Sequence, residues 1–329
     1  MKFIFLGMGA IGSLFAAKLY NAGYNVAGLC RGSHYERIVD EGLVFEDLNG
    51  YCTNIECSRQ FQLFNDLDSA YTVFEDITKD DWIIITSKAY SVSNIVNNYQ
   101  TLIKKQDFIM LLQNGIGNEG IVKKTLPYCT VFRATTTNGA FLKQPGYIKH
   151  TGQGFTKIGY PGINNRYKSD MAVSGRDKTK LLIQSFSNAD LNPEYVEDID
   201  SILWEKIFIN VGINALAATR GLKNGELLEH SETKNIMKKA IKEAWNVAKA
   251  KNVEIKEDPE YYINLTFDVA KKTAHNKNSM LQDLMRNKPT EINFINGKIV
   301  EYGHKMNVYV EMNEKLTQKI KKMEQENKS

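Results

Sequence analysis

Short apolar runs alternate with helix-length segments through the first half of the chain. Lys2–Leu6 has the pattern of a strand, and a helix over Ser13–Asn21 and a second strand over Asn25–Cys30 follow it. Further runs of β-branched and aromatic residues recur at similar spacing. They cover Trp82–Thr86, Phe108–Leu112 and Thr130–Thr137. This alternation predicts an α/β fold with a parallel, doubly wound sheet.

The pattern changes between Gly139 and Gly162, where glycines interrupt short alternating runs. Such punctuation predicts antiparallel hairpin strands added at the edge of the sheet. The next segment, Ile163–Lys180, is polar and basic, and it predicts an exposed loop. A helix over Thr179–Asn188 and a short strand around Tyr195 complete this part of the chain.

From Ser201 onward apolar residues recur at helical spacing, and glycines are few. The sequence therefore predicts two domains, a doubly wound domain over residues 1–198 and an all-helical domain over residues 199–329. Because ligands of open α/β sheets bind at the carboxyl ends of the strands, we expect the reaction centre in the cleft facing the helical domain. The predicted helices cover Ser201–Arg220, Ser231–Lys251, Pro259–Asn287, Thr290–Met306 and an amphipathic segment beginning at Glu311.

Composition and charge narrow the class of protein. The chain is 43% apolar, and its net charge is only +4, with basic and acidic residues interspersed. This favours small anionic ligands, and it predicts neither a nucleic-acid partner nor a membrane partner. The four cysteines and five histidines are not grouped as in metal sites or disulfide scaffolds. We expect no bound metal, reduced thiols and a cytoplasmic location.

A glycine-rich segment follows the first strand directly. Gly7 permits a tight turn, Gly9 lets the backbone approach a pyrophosphate, and Gly12 lets the next helix pack closely on the strand. A phosphate then meets unpaired N–H groups at the N-terminus of that helix. The segment predicts a Rossmann-type dinucleotide site. Its candidate cofactor-binding residues are Gly7, Met8, Gly9, Ala10, Ile11 and Gly12.

The second strand leads into Arg31, at the place where NAD-binding proteins carry an acidic residue. An arginine here pairs with the 2′-phosphate of NADP, and Gly32 and Ser33 follow it. The simpler alternative is an ordinary surface arginine at a strand end. We predict that the cofactor is NADP(H).

A polar stripe interrupts an otherwise apolar helix. Lys206, Asn210 and Asn214 follow one another at four-residue spacing, which aligns an ammonium and two carboxamides on one face. Buried polar groups need partners, so a polar ligand or a satisfying network must face this stripe. The alternative is a lysine that reaches solvent beside two interhelical asparagines. The functional interpretation assigns proton donation to Lys206 and substrate binding to the asparagines.

Other candidate residues lie further along the helical part and at two strand ends. Asn276 and Ser279 are predicted to share a helix face that contacts substrate. Pro289 is predicted to end that helix and begin the next, with Glu291 in its first turn. Glu291 then either acts at the site or simply complements a helix N-terminus. Lys88 and Asn114 follow the third and fourth strands, where sheet topology places ligands; as alternatives, they are a surface lysine and a turn residue.

These motifs together resemble the ketopantoate reductase family, the 2-dehydropantoate 2-reductases that form pantoate for coenzyme A synthesis. The resemblance spans nearly the whole chain. It implies an N-terminal Rossmann-type domain and a helical C-terminal domain similar to that of 6-phosphogluconate dehydrogenase. Its elements are Gly7 to Gly12, Arg31, Ser87-Lys88-Ala89, Gln113-Asn114-Gly115, Thr135 through Ala140, Leu203-Trp204-Glu205-Lys206, Asn210, Asn214, Asn224-Gly225-Glu226-Leu227, Ser279-Met280-Leu281-Gln282-Asp283, Thr290-Glu291-Ile292 and Asn296-Gly297.

The resemblance also implies roles for individual residues. Lys206 corresponds to the general acid, and Glu291 corresponds to the acidic residue that engages cofactor and substrate hydroxyls. The cofactor contacts implied are Lys88 and Ala140, and Asn114 lies near both ligands. The implied substrate-binding positions are Asn210, Asn214, Asn224 and Ser279. NADPH would deliver hydride to the C2 carbonyl of the 2-oxo acid while Lys206 protonates the oxygen.

Two segments depart from the family pattern. The basic stretch Asn164–Lys180 is longer than expected, and Lys305–Val310 replaces a Gly-Ile segment and a proline. Two alternatives also stay beside the leading interpretation. The first is a related reductase of another branched or hydroxylated 2-oxo acid, because the family contains paralogues with other substrates, and the second is a non-catalytic NADP(H)-binding sensor. An apolar helical domain is also consistent with a homodimer.

Overall fold

The computed structural model describes residues 1–161 and 171–327, with the side chains of residues 171–176 excepted. The chain forms two compact units. The first contains Met1–Gln113 and Asn118–Ile199, and the second contains Asn114–Gly117 together with the chain from Asp200 onward. The short segment after the fourth predicted strand thus belongs to the second unit.

The first unit is built on a twisted, mostly parallel sheet. In chain order the strands of this unit are β1 (Lys2–Leu6), β2 (Asn25–Leu29), β3 (Leu43–Glu46), β4 (Cys52–Ile55), β5 (Phe61–Phe64), β6 (Trp82–Ile85), β7 (Phe108–Leu112), β8 (Thr130–Thr136), β9 (Gly139–Gln144), β10 (Tyr147–Gly152), β11 (Thr156–Gly159) and β12 (Pro193–Tyr195). The strand order of the main sheet is β12-β11-β8-β7-β6-β1-β2-β5, in which β11 pairs antiparallel with β8 and parallel with β12.

Helices cover both faces of this sheet, because its central strands are apolar on both sides. One core joins Phe3 and Phe5 of β1 to Phe15 and Phe186 of the helices. The other core joins Ile4 and Leu6 to residues of the helices on the opposite face. The predicted doubly wound α/β fold is confirmed. The helices of the first unit are α1 (Ala10–Asn21), α2 (Gly32–Glu41), α3 (Leu67–Phe74), α4 (Val92–Ile103), α5 (Asn118–Thr125) and α6 (Met171–Asn188).

The glycine-punctuated segment is divided between two sheets. Its last strand, β11, joins the edge of the main sheet antiparallel to β8, as predicted. The hairpin of β9 and β10 does not. It forms a separate sheet with β3 and β4, of order β4-β3-β10-β9, in which β10 pairs parallel with β3 and β3 pairs antiparallel with β4. The prediction that the whole segment adds to the main sheet edge is therefore wrong for this hairpin.

The predicted loop over Ile163–Lys180 is also wrong in its second half. Helix α6 begins at Met171, so the chain is helical from that residue through the expected helix at Thr179–Asn188. Residues 163–170 of the predicted loop lie outside the part that the structure describes.

The second unit is helical. In chain order its helices are α7 (Ile199–Arg220), α8 (Ser231–Ala250), α9 (Pro259–Lys272), α10 (Ser279–Met285), α11 (Asn296–Met306) and α12 (Glu311–Glu326). Helix α8 contacts α9, α11 and α12 and so lies at the centre of their packing.

Two predicted helices of this unit are interrupted. The segment Pro259–Asn287 is split into α9 and α10, because Asn278 caps a new helix by accepting a hydrogen bond from Leu281 N at 3.1 Å. Helix α10 ends before Pro289, with Asn287 in the left-handed conformation at φ 53°. The predicted helix over Thr290–Met306 is likewise replaced by a short 3-10 turn over Ile292–Phe294 and by α11.

Helix α7 is the most apolar helix of this unit. Among the described residues it alone is long and apolar enough to cross a membrane by length and composition. In the structure, 67% of its most apolar 18-residue window is buried inside the protein. That burial is typical of the core helix of a globular unit.

Candidate active site

The glycine segment forms a tight passage from β1 into α1. Gly7 has φ 128°, and a Cβ there would lie 2.5 Å from the backbone nitrogen of Ser87. A Cβ on Gly12 would lie 2.0 Å from the carbonyl oxygen of Gly7. Gly9 differs, because its Cβ would meet nothing within 4 Å. Two of these glycines are thus required by close packing, and Gly9 leaves open the approach to the backbone.

The carboxyl ends of β6 and β7 meet this passage. Thr86 Oγ1 donates a hydrogen bond to Gly7 O at 2.6 Å, and Ser87 N donates to Leu6 O at 3.0 Å. The side-chain amide of Gln113 donates to Ser87 O. Lys88 follows directly and is half-buried. The structure therefore brings Thr86 and Ser87, the two residues before Lys88, against the glycine segment.

Arg31 lies at the end of β2 and is exposed. It precedes the first turn of α2, which contains no acidic residue. The adjacent thiol of Cys30 is neutral, because burial raises its pKa to about 12. The N-terminus of α2 therefore offers backbone N–H groups beside the positive charge of Arg31, and its first turn contains no acidic side chain.

Ala140 lies on β9 of the second sheet, opposite His150 of β10. It is half-buried and packs against the core that also contains residues of α1. Strand β9 contacts α1 directly. Ala140 therefore lies on the side of the first unit that carries α1. The strand that holds it there belongs to the second sheet, which the sequence did not predict.

These residues fit a dinucleotide. The N-terminus of α1 has no capping side chain and no acidic residue in its first turn, so it suits a phosphate. Gly9 leaves open space beside this helix N-terminus, because a Cβ there would meet no heavy atom within 4 Å. Ser87 Oγ is buried and has no hydrogen-bond partner within residues 1–161 and 177–327. A bound ligand would satisfy such a group, since buried hydroxyls are normally paired.

In the second unit, α7 carries the predicted polar stripe. Lys206 and Asn210 are half-buried, and Asn214 is buried. Trp204 and Phe208 are buried on the same helix, with ring centroids 6.1 Å apart. The helix is fixed by its apolar residues, so the stripe is held on a rigid element. Lys206, Asn210 and Asn214 therefore share one helix face, as predicted.

Asn224 is held against the loop between α9 and α10. Its backbone N–H donates to Asn276 O at 3.0 Å, and its Nδ2 donates to Thr273 Oγ1 at 2.9 Å. Its Oδ1 is buried and has no hydrogen-bond partner among the residues that the structure describes. Gly225 allows this approach, because a Cβ there would lie 2.5 Å from Ala274 Cβ. An unsatisfied buried acceptor beside this loop suits a ligand with a hydroxyl group.

The same loop corrects one prediction. Asn276 and Ser279 do not share a helix face, because Asn276 lies in the connection and Ser279 is the first residue of α10. Both are exposed, and only Asn276 is shown beside Asn224, whose backbone N–H donates to Asn276 O. Asn278 between them is buried, and its Nδ2 has no hydrogen-bond partner in the described part of the chain. Its position before a helix is a capping signal that the sequence analysis missed.

Glu291 is buried and precedes the short 3-10 turn, rather than lying in the first turn of α11. Its predicted place was wrong because Thr290 starts a separate turn, in which Thr290 Oγ1 accepts from Ile292 N at 3.2 Å. The Asn114–Gly117 segment packs on this turn, with Ile116 N donating to Phe294 O at 3.2 Å. The structure thus places the segment that begins at Asn114 against the turn that follows Glu291.

Two models of one protein family match this chain. The model of the family described as "Ketopantoate reductase PanE/ApbA" matches residues 3–162. The model of its C-terminal domain, "Ketopantoate reductase PanE/ApbA C terminal", matches residues 198–324. The chain belongs to the ketopantoate reductase family.

Curated relatives of this family cover almost the entire chain. The 2-dehydropantoate 2-reductase of Pyrococcus horikoshii is 33% identical over 314 residues, which cover 95% of this chain and 94% of the relative. The enzyme of the same name from Archaeoglobus fulgidus is 30% identical over 320 residues, covering 97% and 96% of the two chains.

Solved structures share the fold of this family member. A ketopantoate reductase of the same family from Ralstonia eutropha superposes with a TM-score of 0.84 at 23% identity, and all of both chains is covered. A D-mandelate dehydrogenase in complex with NADH and anilino(oxo)acetate gives a TM-score of 0.85 at 24% identity, again over all of both chains. The same fold is therefore found both in a ketopantoate reductase and in a D-mandelate dehydrogenase.

Proposed function

We propose that the protein is an oxidoreductase that uses a nicotinamide cofactor, and specifically that it reduces 2-dehydropantoate (ketopantoate) to pantoate with NADPH, in pantothenate and coenzyme A biosynthesis. Membership of the ketopantoate reductase family supports the reaction class. The observation that carries the proposal is the stripe of Lys206, Asn210 and Asn214 on α7. It provides one proton donor and two hydrogen-bonding carboxamides on one rigid face.

The proposed chemistry is a carbonyl reduction. NADPH supplies a hydride to C2 of the substrate when it is bound. Lys206 donates a proton to the carbonyl oxygen, which becomes the hydroxyl of pantoate. The ammonium also stabilises negative charge on that oxygen before the proton is transferred. A lysine suits both tasks, because its three N–H donors can serve the oxygen and a carboxylate together.

The other residues bind and orient. We assign Asn210, Asn214, Asn224, Asn276 and Ser279 to the substrate. Glu291 accepts hydrogen bonds from hydroxyl groups of substrate and cofactor, and Asn114 contacts both ligands.

The assignment of Asn224 to the substrate is supported by its unsatisfied buried Oδ1, which is an acceptor for the 4-hydroxyl of ketopantoate. Lys88 and Ala140 contact the cofactor beside the glycine segment.

We assign cofactor binding to a domain of residues 1–198 and substrate binding to residues 199–329. A cytoplasmic location is supported by the free thiols of Cys30, Cys52, Cys57 and Cys129.

We further propose that the protein forms a homodimer and has no nucleic-acid or membrane partner. The alternative substrates are other 2-oxo acids, and they are separated from ketopantoate by the assays below.

Substitution of Arg31 tests the cofactor. We expect Arg31→Ala to weaken NADPH binding by about tenfold or more, because a charge-assisted pair with the 2′-phosphate is lost. Affinity for NADH should change little. Titration of both cofactors by their fluorescence measures the effect, with Arg59→Ala as a control that removes another exposed arginine. Equal losses for NADPH and NADH would show that Arg31 does not contact the 2′-phosphate.

Substitution of Asn224 tests the substrate assignment. Asn224→Ala removes the unsatisfied acceptor, and we expect the KM for ketopantoate to rise about tenfold with no change in NADPH affinity. Thr273→Val is the matched control, because it removes the partner of Asn224 Nδ2 and leaves Oδ1 in place. Steady-state kinetics at saturating NADPH compares the two variants. A similar KM in both variants would assign the effect to loop packing.

A further inference from the structure

His34 is a buried histidine that the proposed reaction does not use. It lies on α2, three residues after Arg31, and is 8% exposed. Both ring nitrogens lie within hydrogen-bond distance of other elements. Nδ1 is 2.8 Å from the backbone nitrogen of Gly146, and Nε2 is 3.2 Å from Ser13 Oγ. The ring therefore connects α2 both to α1 and to the turn between β9 and β10.

The partners determine the protonation of this ring. The backbone N–H of Gly146 can only donate, so Nδ1 accepts and carries no proton. The proton of the neutral ring is therefore on Nε2, which donates to Ser13 Oγ. Ser13 Oγ in turn donates to Met8 O at 3.1 Å. The result is a directed chain of hydrogen bonds from Gly146 through His34 and Ser13 to Met8.

This chain joins the two places proposed to bind phosphate. Met8 lies within the glycine segment, between Gly7 and Gly9. His34 lies in the first turn of α2, directly after Arg31, Gly32 and Ser33. Gly146 fits its turn because it has φ 74° and Arg37 packs against it. The distance between the start of α2 and the glycine segment is thus set by buried hydrogen bonds, independently of any ligand.

We propose that His34 is a positioning residue for NADP(H), which holds the 2′-phosphate site of α2 at a fixed distance from the pyrophosphate site of α1. This role rests on the proposed function, that the first unit binds NADP(H). A cofactor with a 2′-phosphate must contact both helix N-termini at once, so a preset spacing favours NADPH over NADH. His34 contacts neither phosphate in this account; it acts through Arg31 and Met8.

The test compares NADPH and NADH binding by fluorescence titration on the full chain. For His34→Ala we expect the dissociation constant of NADPH to rise about tenfold, whereas that of NADH should change less than about twofold because only the 2′-phosphate contact is loosened. The kcat for ketopantoate at saturating NADPH should stay near the unsubstituted value. His34→Gln should recover most of the NADPH affinity, because its amide can donate to Ser13 Oγ.

Two further variants make the result decisive. Ser13→Ala removes the hydroxyl from a fully buried position with little change in volume, and it should reproduce the selective loss even where His34→Ala fails to fold. His304→Ala removes an exposed histidine of α11 and should leave both affinities unchanged. Equal losses of NADPH and NADH affinity, or no loss in His34→Ala and Ser13→Ala, would overturn the positioning role. An unsubstituted protein that binds neither cofactor would instead overturn the proposed function itself.

Discussion

Lys206→Ala should lower kcat for ketopantoate reduction by about two to four orders of magnitude. The reason is that no other group on the polar face of α7 can donate a proton, since Asn210 and Asn214 carry uncharged carboxamides. The affinity for NADPH should remain within about twofold, because the glycine segment and Arg31 lie in the other unit. Stopped-flow kinetics and fluorescence titration on the same preparation measure the two quantities.

A second substitution separates the contribution of the positive charge of Lys206 from the contribution of its proton donation. Lys206→Arg keeps a positive charge, but a guanidinium does not release its proton near neutral pH. We expect its kcat to stay at least about tenfold below that of the unsubstituted protein. Lys238→Ala, which removes an exposed lysine from α8, should be fully active. An active Lys206→Ala protein would exclude Lys206 as the proton donor.

Gly12→Ala should have the largest effect on the first unit. The new Cβ would lie 2.0 Å from Gly7 O and 2.8 Å from Thr86 Oγ1, so the backbone of the glycine segment must move. We expect a loss of about 3 kcal/mol or more in the free energy of unfolding and no measurable NADPH binding. Chemical denaturation followed by circular dichroism measures the first quantity.

Gly9→Ala is the matched variant, because its Cβ enters open space. Its φ of −77° is accessible to alanine, so we expect the unfolding free energy to fall by less than about 1 kcal/mol. NADPH affinity should nevertheless fall about tenfold or more, since the Cβ occupies the proposed path of the pyrophosphate. If Gly9→Ala binds NADPH normally, the pyrophosphate does not pass this residue.

The sequence was sufficient where a structure depends on local patterns. Strand β7 was predicted over Phe108–Leu112, as observed, because polar residues bound a short apolar run. The family motifs likewise identified the strand ends that carry Ser87 and Gln113. The stripe on α7 was readable because helical spacing is regular and the helix is not interrupted. These features need only neighbouring residues to specify them.

The pairing of strands that lie far apart in the chain could not be predicted from these local patterns. The hairpin of β9 and β10 pairs with β3, which lies about a hundred residues earlier, and periodicity contains no information on that partner. The break between α9 and α10 was missed for a different reason: its signal is local, since Asn278 caps α10 by accepting a hydrogen bond from Leu281 N, but the helical spacing of apolar residues over Pro259–Asn287 concealed it. Glu291 was placed in a helix for a related reason, since Thr290 begins a separate turn.

The central claim is that this chain reduces ketopantoate with NADPH. The most direct test is the rate of NADPH oxidation by the purified protein with ketopantoate, followed by absorbance, beside pyruvate, 2-oxoisovalerate, an aromatic 2-oxo acid and NADH. We predict turnover that is fastest with ketopantoate and NADPH. Tight NADPH binding without turnover of ketopantoate would contradict the account, and turnover of another 2-oxo acid in its place would identify a related reductase.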